Sequence, residues 1–95
     1  MLSVQFSVLD GGSHVRPHTG TSNRKLVLHY GVAVPDGALL RAAARWRPFR
    51  HGACIAFDDS FEHEVRHLGA GPRATLVVQV VHPDLRGDYY DFMTR

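Results

Sequence analysis

The chain is built from short apolar stretches, several of them rich in β-branched residues, separated by turn formers. Strand-like segments run over Val4 to Leu9, Lys25 to Val34, Leu39 to Arg45, Ala53 to Phe57, Glu64 to Leu68 and Arg73 to Val81. Asp10-Gly11-Gly12, Pro17, Gly20, Pro35-Asp36-Gly37, Pro48, Gly52, Gly69-Ala70-Gly71-Pro72 and Pro83 punctuate the chain. Helical rhythm shows only over Ala38 to Trp46, a stretch of good helix formers. The Pro35-Asp36-Gly37 turn before it reads instead as a link between two strands. Short strands spaced by turn residues predict an all-β sandwich or barrel. The last segment, Asp84 to Arg95, sets Tyr89, Tyr90 and Phe92 among acids and reads as a short helix or an irregular strap. With no repeat, low-complexity tract or linker, a single domain over residues 1–95 is expected.

Composition narrows the class. Hydrophobic residues at 44% and charged residues at 21% describe an ordinary globular protein. No run approaches the roughly 18 apolar residues of a membrane span, so no membrane association is expected. Met1 to Asp10 lacks a basic stretch leading into an apolar one, and a cytoplasmic location fits. The lone Cys54, between Ala53 and Ile55, excludes an internal disulfide or a cysteine-based zinc site and reads as a small buried hydrophobe. The net charge of +2 is unevenly spread. Up to Phe57 there are seven basic residues and two acids; from Asp58 onward there are four and seven. Arg41, Arg45, Arg47 and Arg50 supply most of the first excess and suit an acidic ligand or peptide. A nucleic-acid protein would usually be more basic, and the aromatics are too scattered along the chain for a stacking platform, so no nucleic-acid partner is expected.

The histidine count changes the picture more: seven in 95 residues. His18 lies in Arg16-Pro17-His18-Thr19-Gly20, between a stiff approach and a permitted bend. His63 lies in the acidic run Asp58-Asp59-Ser60-Phe61-Glu62-His63-Glu64-Val65. Neutral imidazole is a good ligand for iron, zinc or copper, and two histidines with open positions suit an iron that also holds a substrate and oxygen. Spacing alone leaves this open, because a histidine is equally at home on the surface or satisfied in a core.

A longer pattern bears on the choice. Phe6-Ser7-Val8-Leu9, His14-Val15-Arg16-Pro17-His18-Thr19-Gly20 with Thr21-Ser22-Asn23, Leu28-His29, Val34-Pro35-Asp36-Gly37, Leu40-Arg41, Arg47-Pro48-Phe49-Arg50-His51-Gly52, Phe57 to Val65, Arg73 and His82-Pro83-Asp84-Leu85 follow one another in order. In that order they resemble the aspartyl/asparaginyl β-hydroxylase family of iron(II)- and 2-oxoglutarate-dependent oxygenases. The resemblance implies a double-stranded β-helix (a cupin-like jelly roll, here in minimal form), with His18 and His63 as iron ligands. Relatives outside this family place a carboxylate two residues after the first histidine. Gly20 stands there in this chain, as the family pattern has it. The resemblance further implies that Arg73 holds the far carboxylate of 2-oxoglutarate, with Ser7 beside it and His29 near the metal-bound end. Where the family has an arginine two residues before His29, this chain has Val27. Lys25, on the same strand face, is a candidate compensating cation. Gln79 and Val81 replace an acid and a tryptophan of the pattern.

The implied activity is hydroxylation, with O2, of the β-carbon of an aspartyl or asparaginyl residue in a peptide, a protein or an amino-acid-derived small molecule. The alternative is a jelly-roll module that binds metal or ligand without turnover. Asp58 and Asp59 read as a turn pair that orients His63; His14, His51, His67 and His82 read as doing no chemistry. Six clear strand segments are few for an eight-stranded jelly roll. Either some strands are very short, or a partner chain, such as a second copy in a homo-oligomer, covers a sheet edge.

Overall fold

The computed structural model describes residues 3–20, 25–81 and 89–90. Its strands are β1 (Ser3–Leu9), β2 (His14–His18), β3 (Lys25–Ala33), β4 (Ala38–Ala42), β5 (Arg45–Pro48), β6 (Cys54–Asp58), β7 (His63–His67), β8 (Arg73–Val81) and β9 (Tyr89–Tyr90). All pairings are antiparallel: a five-stranded sheet in the order β1-β8-β3-β6-β9 faces a four-stranded sheet in the order β2-β7-β4-β5. Successive strands cross repeatedly from one sheet to the other, which is how a jelly roll winds. Among the described residues no helix forms, and none is long and apolar enough to cross a membrane.

The strand count is reached with short strands. The expected segment from Leu39 to Arg45 is two strands, β4 and β5, and the helical alternative over Ala38 to Trp46 is not adopted. Ala42 pairs with Arg45 across a tight hairpin in which Ala43 takes a positive φ of 54°. That conformation disfavours any residue with a Cβ, and it is held from outside: the Ala43 N–H donates to the Glu62 carbonyl at 2.8 Å, and the Ala43 carbonyl accepts from Arg41. Strand β2 has no counterpart in the apolar pattern because all five of its residues are exposed. Of the last segment only Tyr89–Tyr90 is described, as a strand paired to β6; the rest, like His82, lies outside the described residues.

Burial follows the alternation of each strand. β4 and the first half of β8 alternate buried and half-buried positions, while β6 is buried throughout, as a strand covered on both faces must be. Between the sheets pack Val27, Leu40, Phe49, Ile55, Phe57, Val65 and Val77. A second cluster on the outer face of the five-stranded sheet holds Leu26, Leu28, Cys54 and Ala56. Burial raises the Cys54 thiol pKa, consistent with an inert core thiol. β1 inverts the usual rule. Val4, Phe6 and Val8 are exposed on its outer face, while Gln5 and Ser7 line a space between the sheets. The polar residues point inward because that space is a cavity lined by polar as well as apolar side chains.

Candidate active site

The cavity encloses about 350 Å³, within the size range of small-molecule sites. His18, His29, His63, Ser7 and Arg73 all line it. His18 reaches it through a backbone irregularity. In a regular strand His14, Arg16 and His18 would share a face, and His14 and Arg16 point away from the core. Between Val15 and His18 the β2–β7 register shifts, so that Val15 opposes Val65 but His18 opposes His63. The extra residue turns His18 inward, the re-aiming that bulges perform beside active sites. Pro17, which has no N–H to give the ladder, falls within the shift.

The two imidazoles lie with ring centroids 4.2 Å apart. His18 Nδ1 donates to the Arg16 carbonyl at 2.8 Å, and His63 Nδ1 donates to the Phe61 carbonyl at 2.8 Å. A carbonyl can only accept, so each Nδ1 carries a proton, and in the neutral ring Nε2 is the atom left to ligate. Burial lowers the pKa of His63, which favours the neutral, ligating form. Among the described residues no cluster of three or more metal-binding side chains forms, so a metal here would rest on this pair.

Arg73 marks the other end. It is 2% exposed, its Nη2 donates to Ser7 Oγ at 2.8 Å and its Nη1 to Thr75 Oγ1 at 3.1 Å. The guanidinium lies 4.9 Å above the Phe49 ring. Its Nε has no hydrogen-bond partner among the described residues, and burial alone pushes its pKa down, with no acid to offset it. A buried cation without a carboxylate is costly, and this one faces a cavity. Between the two ends sits His29, flanked by Phe49 and Phe57. Its Nδ1 is 3.0 Å from Thr75 Oγ1. Burial first, then the Arg73 and His63 charges, hold His29 at a pKa of about 3.

A profile of the Aspartyl/Asparaginyl beta-hydroxylase family matches residues 1–83. The aspartyl/asparaginyl beta-hydroxylases of Mus musculus and Homo sapiens are 40% and 39% identical over 83 residues, covering 86% of this chain. The chain belongs to the aspartyl/asparaginyl β-hydroxylase family. It spans 11% of the length of those two proteins, and 24% of the Mus musculus aspartate beta-hydroxylase domain-containing protein 1, to which it is 34% identical.

Family membership gives the remaining positions their meaning. A Cβ at Gly20 would overlap the Asp59 carboxylate, so the missing side chain at 20 makes room for the acid at 59. The Gly20 N–H donates to the Asp59 carbonyl at 2.8 Å, and Asp59 Oδ1 stands 3.8 Å from His63 Nε2. Asp58 closes the turn, its Oδ1 accepting from the Ser60 N–H and hydroxyl at 2.9 and 2.7 Å. Val27, at the family's arginine position, lines the cavity. Lys25 does not line it; its carbonyl accepts from the Asp59 N–H at 3.2 Å. None of Arg41, Arg45, Arg47 and Arg50 lines it either. Arg41 faces outward, paired with Glu62 and Glu64, and Glu64 also accepts from His14 at 2.7 Å. His67 is fully buried, donating through Nε2 to the Gly71 carbonyl and accepting the Gly69 N–H.

Three further residues belong to this region: Thr75, which accepts from Arg73 and lies 3.0 Å from His29, and Gln5 and Gln79, which line the cavity, Gln79 at a departure from the family pattern. Each lies at an even spacing from an assigned residue on its own strand, two from Arg73, two from Ser7 and six from Arg73. The period-2 rule could have found them.

Proposed function

We propose that this protein is an iron(II)- and 2-oxoglutarate-dependent dioxygenase that hydroxylates the β-carbon of an aspartyl or asparaginyl residue in a peptide, protein or amino-acid-derived substrate. One observation carries the reading. A single cavity holds two imidazoles with free Nε2 atoms and, at its far end, a buried guanidinium with a spare donor and no acid. The set fits the groups that the family implies: a soft-base pair for a divalent iron, and a cation for a dicarboxylate.

His18 and His63 would hold the metal, and Arg73 with Ser7 the far carboxylate of 2-oxoglutarate. When bound, the metal and keto acid supply the oxidising power that places one atom of O2 on an unactivated carbon and the other in succinate, with loss of CO2. The chain's own part is positional. The backbone carbonyls of Arg16 and Phe61 fix the imidazole tautomers, so no proton must leave a ligand when metal binds. Neutral His29 gives the cavity a polar ring between its two ends without adding a charge. Phe49 and Phe57 pack around it and keep water from that wall.

Anaerobic protein given Fe(II) and then 2-oxoglutarate should develop a visible metal-to-ligand charge-transfer band that His18→Ala or His63→Ala abolishes. In air, succinate should accumulate, and Asp- or Asn-containing peptides should gain one oxygen atom by mass. Absence of the band at saturating reagents overturns the reading. Metal binding without any succinate favours a binding module, toward which Val27 in place of the family arginine points.

A further inference from the structure

Gln5, Gln79 and Val27 line the cavity and have no part in the assignments above. Along β8 the inward positions run Arg73, Thr75, Val77, Gln79, which puts Gln79 six residues, about 20 Å, from Arg73 at strand rise. Gln79 opposes Val27 across the β3–β8 ladder, and Gln5 opposes Val77 across the β1–β8 ladder. The three therefore border the end of the cavity remote from the dicarboxylate cation. Gln5 is exposed and Gln79 half-buried, so this end is the one open to an arriving side chain.

Its charge is informative. Among the described residues Arg73 is the one lysine or arginine that lines the cavity, and Asp59 lines it too. A divalent metal and Arg73 are already balanced by the two carboxylates of 2-oxoglutarate and that of Asp59. An aspartate side chain entering here would be an extra anion with no further cation among the described lining residues to meet it, beside an acid and two carboxamides. An asparagine side chain is neutral and offers two N–H donors and a carbonyl, the same complement that each glutamine presents. Desolvating a carboxylate without a partner costs far more than desolvating an amide that is hydrogen-bonded.

We propose that this end of the cavity selects a neutral carboxamide, and that the protein acts on asparaginyl residues in preference to aspartyl ones. The inference rests on the oxygenase reading, from which it can be separated by experiment. Two labelled peptides identical except for a central Asn or Asp are titrated anaerobically into the protein carrying Fe(II) and 2-oxoglutarate, with 2-oxoglutarate affinity measured beforehand without peptide. The Asn peptide should bind at least about tenfold more tightly, as a site with uncompensated polar groups discriminates. Gln5→Lys, at an exposed position outside the core, should narrow that ratio by strengthening the Asp peptide, and Gln5→Glu should widen it. Succinate release in air should follow the same order.

Equal affinities, a preference for Asp, or no binding of either peptide overturns the inference. So does a Gln5 variant that alters 2-oxoglutarate affinity while leaving the Asn-to-Asp ratio unchanged. Failure of 2-oxoglutarate to bind in the first measurement, by contrast, counts against the oxygenase reading itself.

Discussion

Arg41, on the outer face of the four-stranded sheet, and Arg73, on the inner face of the five-stranded one, are each held by several partners, and their surroundings are opposite. Arg41 is enclosed by Glu62, Glu64 and the Ala43 carbonyl, so its donors are committed to protein acceptors. Arg73 is far more deeply buried, yet its partners are two hydroxyls, the Ser7 carbonyl at 3.4 Å and a ring face, and its Nε is unmet among the described residues. The first arrangement completes itself; the second is complete only with an anion. A charge paired by its own fold steadies the scaffold, whereas a charge buried without a counter-ion costs stability and gains affinity for a ligand.

The largest expected effect is at the unmet charge. Arg73→Met should weaken 2-oxoglutarate binding by about 100-fold or more, the scale expected when a bidentate cation is lost from a carboxylate site. The melting temperature should hold or rise, because the partners left behind are neutral oxygens and no buried carboxylate loses its counter-ion. A drop in stability of the kind expected for Arg41 would break the contrast. Next comes Gly20→Ala. The added methyl displaces Asp59 from beside His63, and metal affinity measured by anaerobic titration should fall about 10- to 100-fold, as for other groups that support a ligand. Wild-type affinity would mean that the carboxylate is not confined there.

On the self-completed side, Glu64→Gln should lower the melting temperature and alter its acid dependence. The His14 hydrogen bond first, and Arg41 second, hold the Glu64 pKa at about 2 against 4.5 in an unperturbed chain. Its stabilisation is full above 4.5 and is lost as pH falls toward about 2. His29 works in a higher window. The unfolded chain takes up a proton below 6.5 and the folded one not until about 3, so stability also drops as pH falls through that interval. Denaturant unfolding of the metal-free protein at stepped pH should lose the lower part of the slope in Glu64→Gln and the upper part in His29→Gln. The smallest effect is expected for Lys25→Ala, whose side chain is outside the cavity lining: 2-oxoglutarate affinity should not change measurably.

What could be read from the sequence follows from which forces leave a local trace. β6 announces itself as a continuous apolar run because both its faces are covered. β4 and β8 show buried alternation and β3 a run of three buried apolar residues; β3 and β8 match the expected spans to within a residue, while β4 stops at Ala42, three residues short of the expected end. β2 leaves no such trace, since its five residues are exposed and Pro17 argues against a strand. The β4–β5 hairpin is hidden because Ala43 and Ala44 are not turn formers, and the left-handed Ala43 is imposed by Glu62 and Arg41 from other parts of the chain. The site divides in the same way. Ser7, His18, His29, His63 and Arg73 could be named from their motif order. That they share a cavity depends on a register shift in β2, and the Gln5–Gln79 border and the Glu64 cluster depend on ladder pairing that no local pattern encodes.

The placement of β1 has a kinetic consequence. It ends its sheet, hydrogen-bonded to β8 on one side, yet it carries Ser7 and Gln5, which touch opposite ends of the proposed ligand path. A terminal strand detaches at lower free energy than the interior of a sheet. Each detachment would unlatch one wall of the cavity, so fraying of β1 becomes a route for ligand exchange. Occupancy then reports on the backbone: the amides of β1 should exchange with solvent faster than those of β3 in the free protein. They should slow in proportion to ligand saturation, making this strand the natural gauge of whether the cavity is filled.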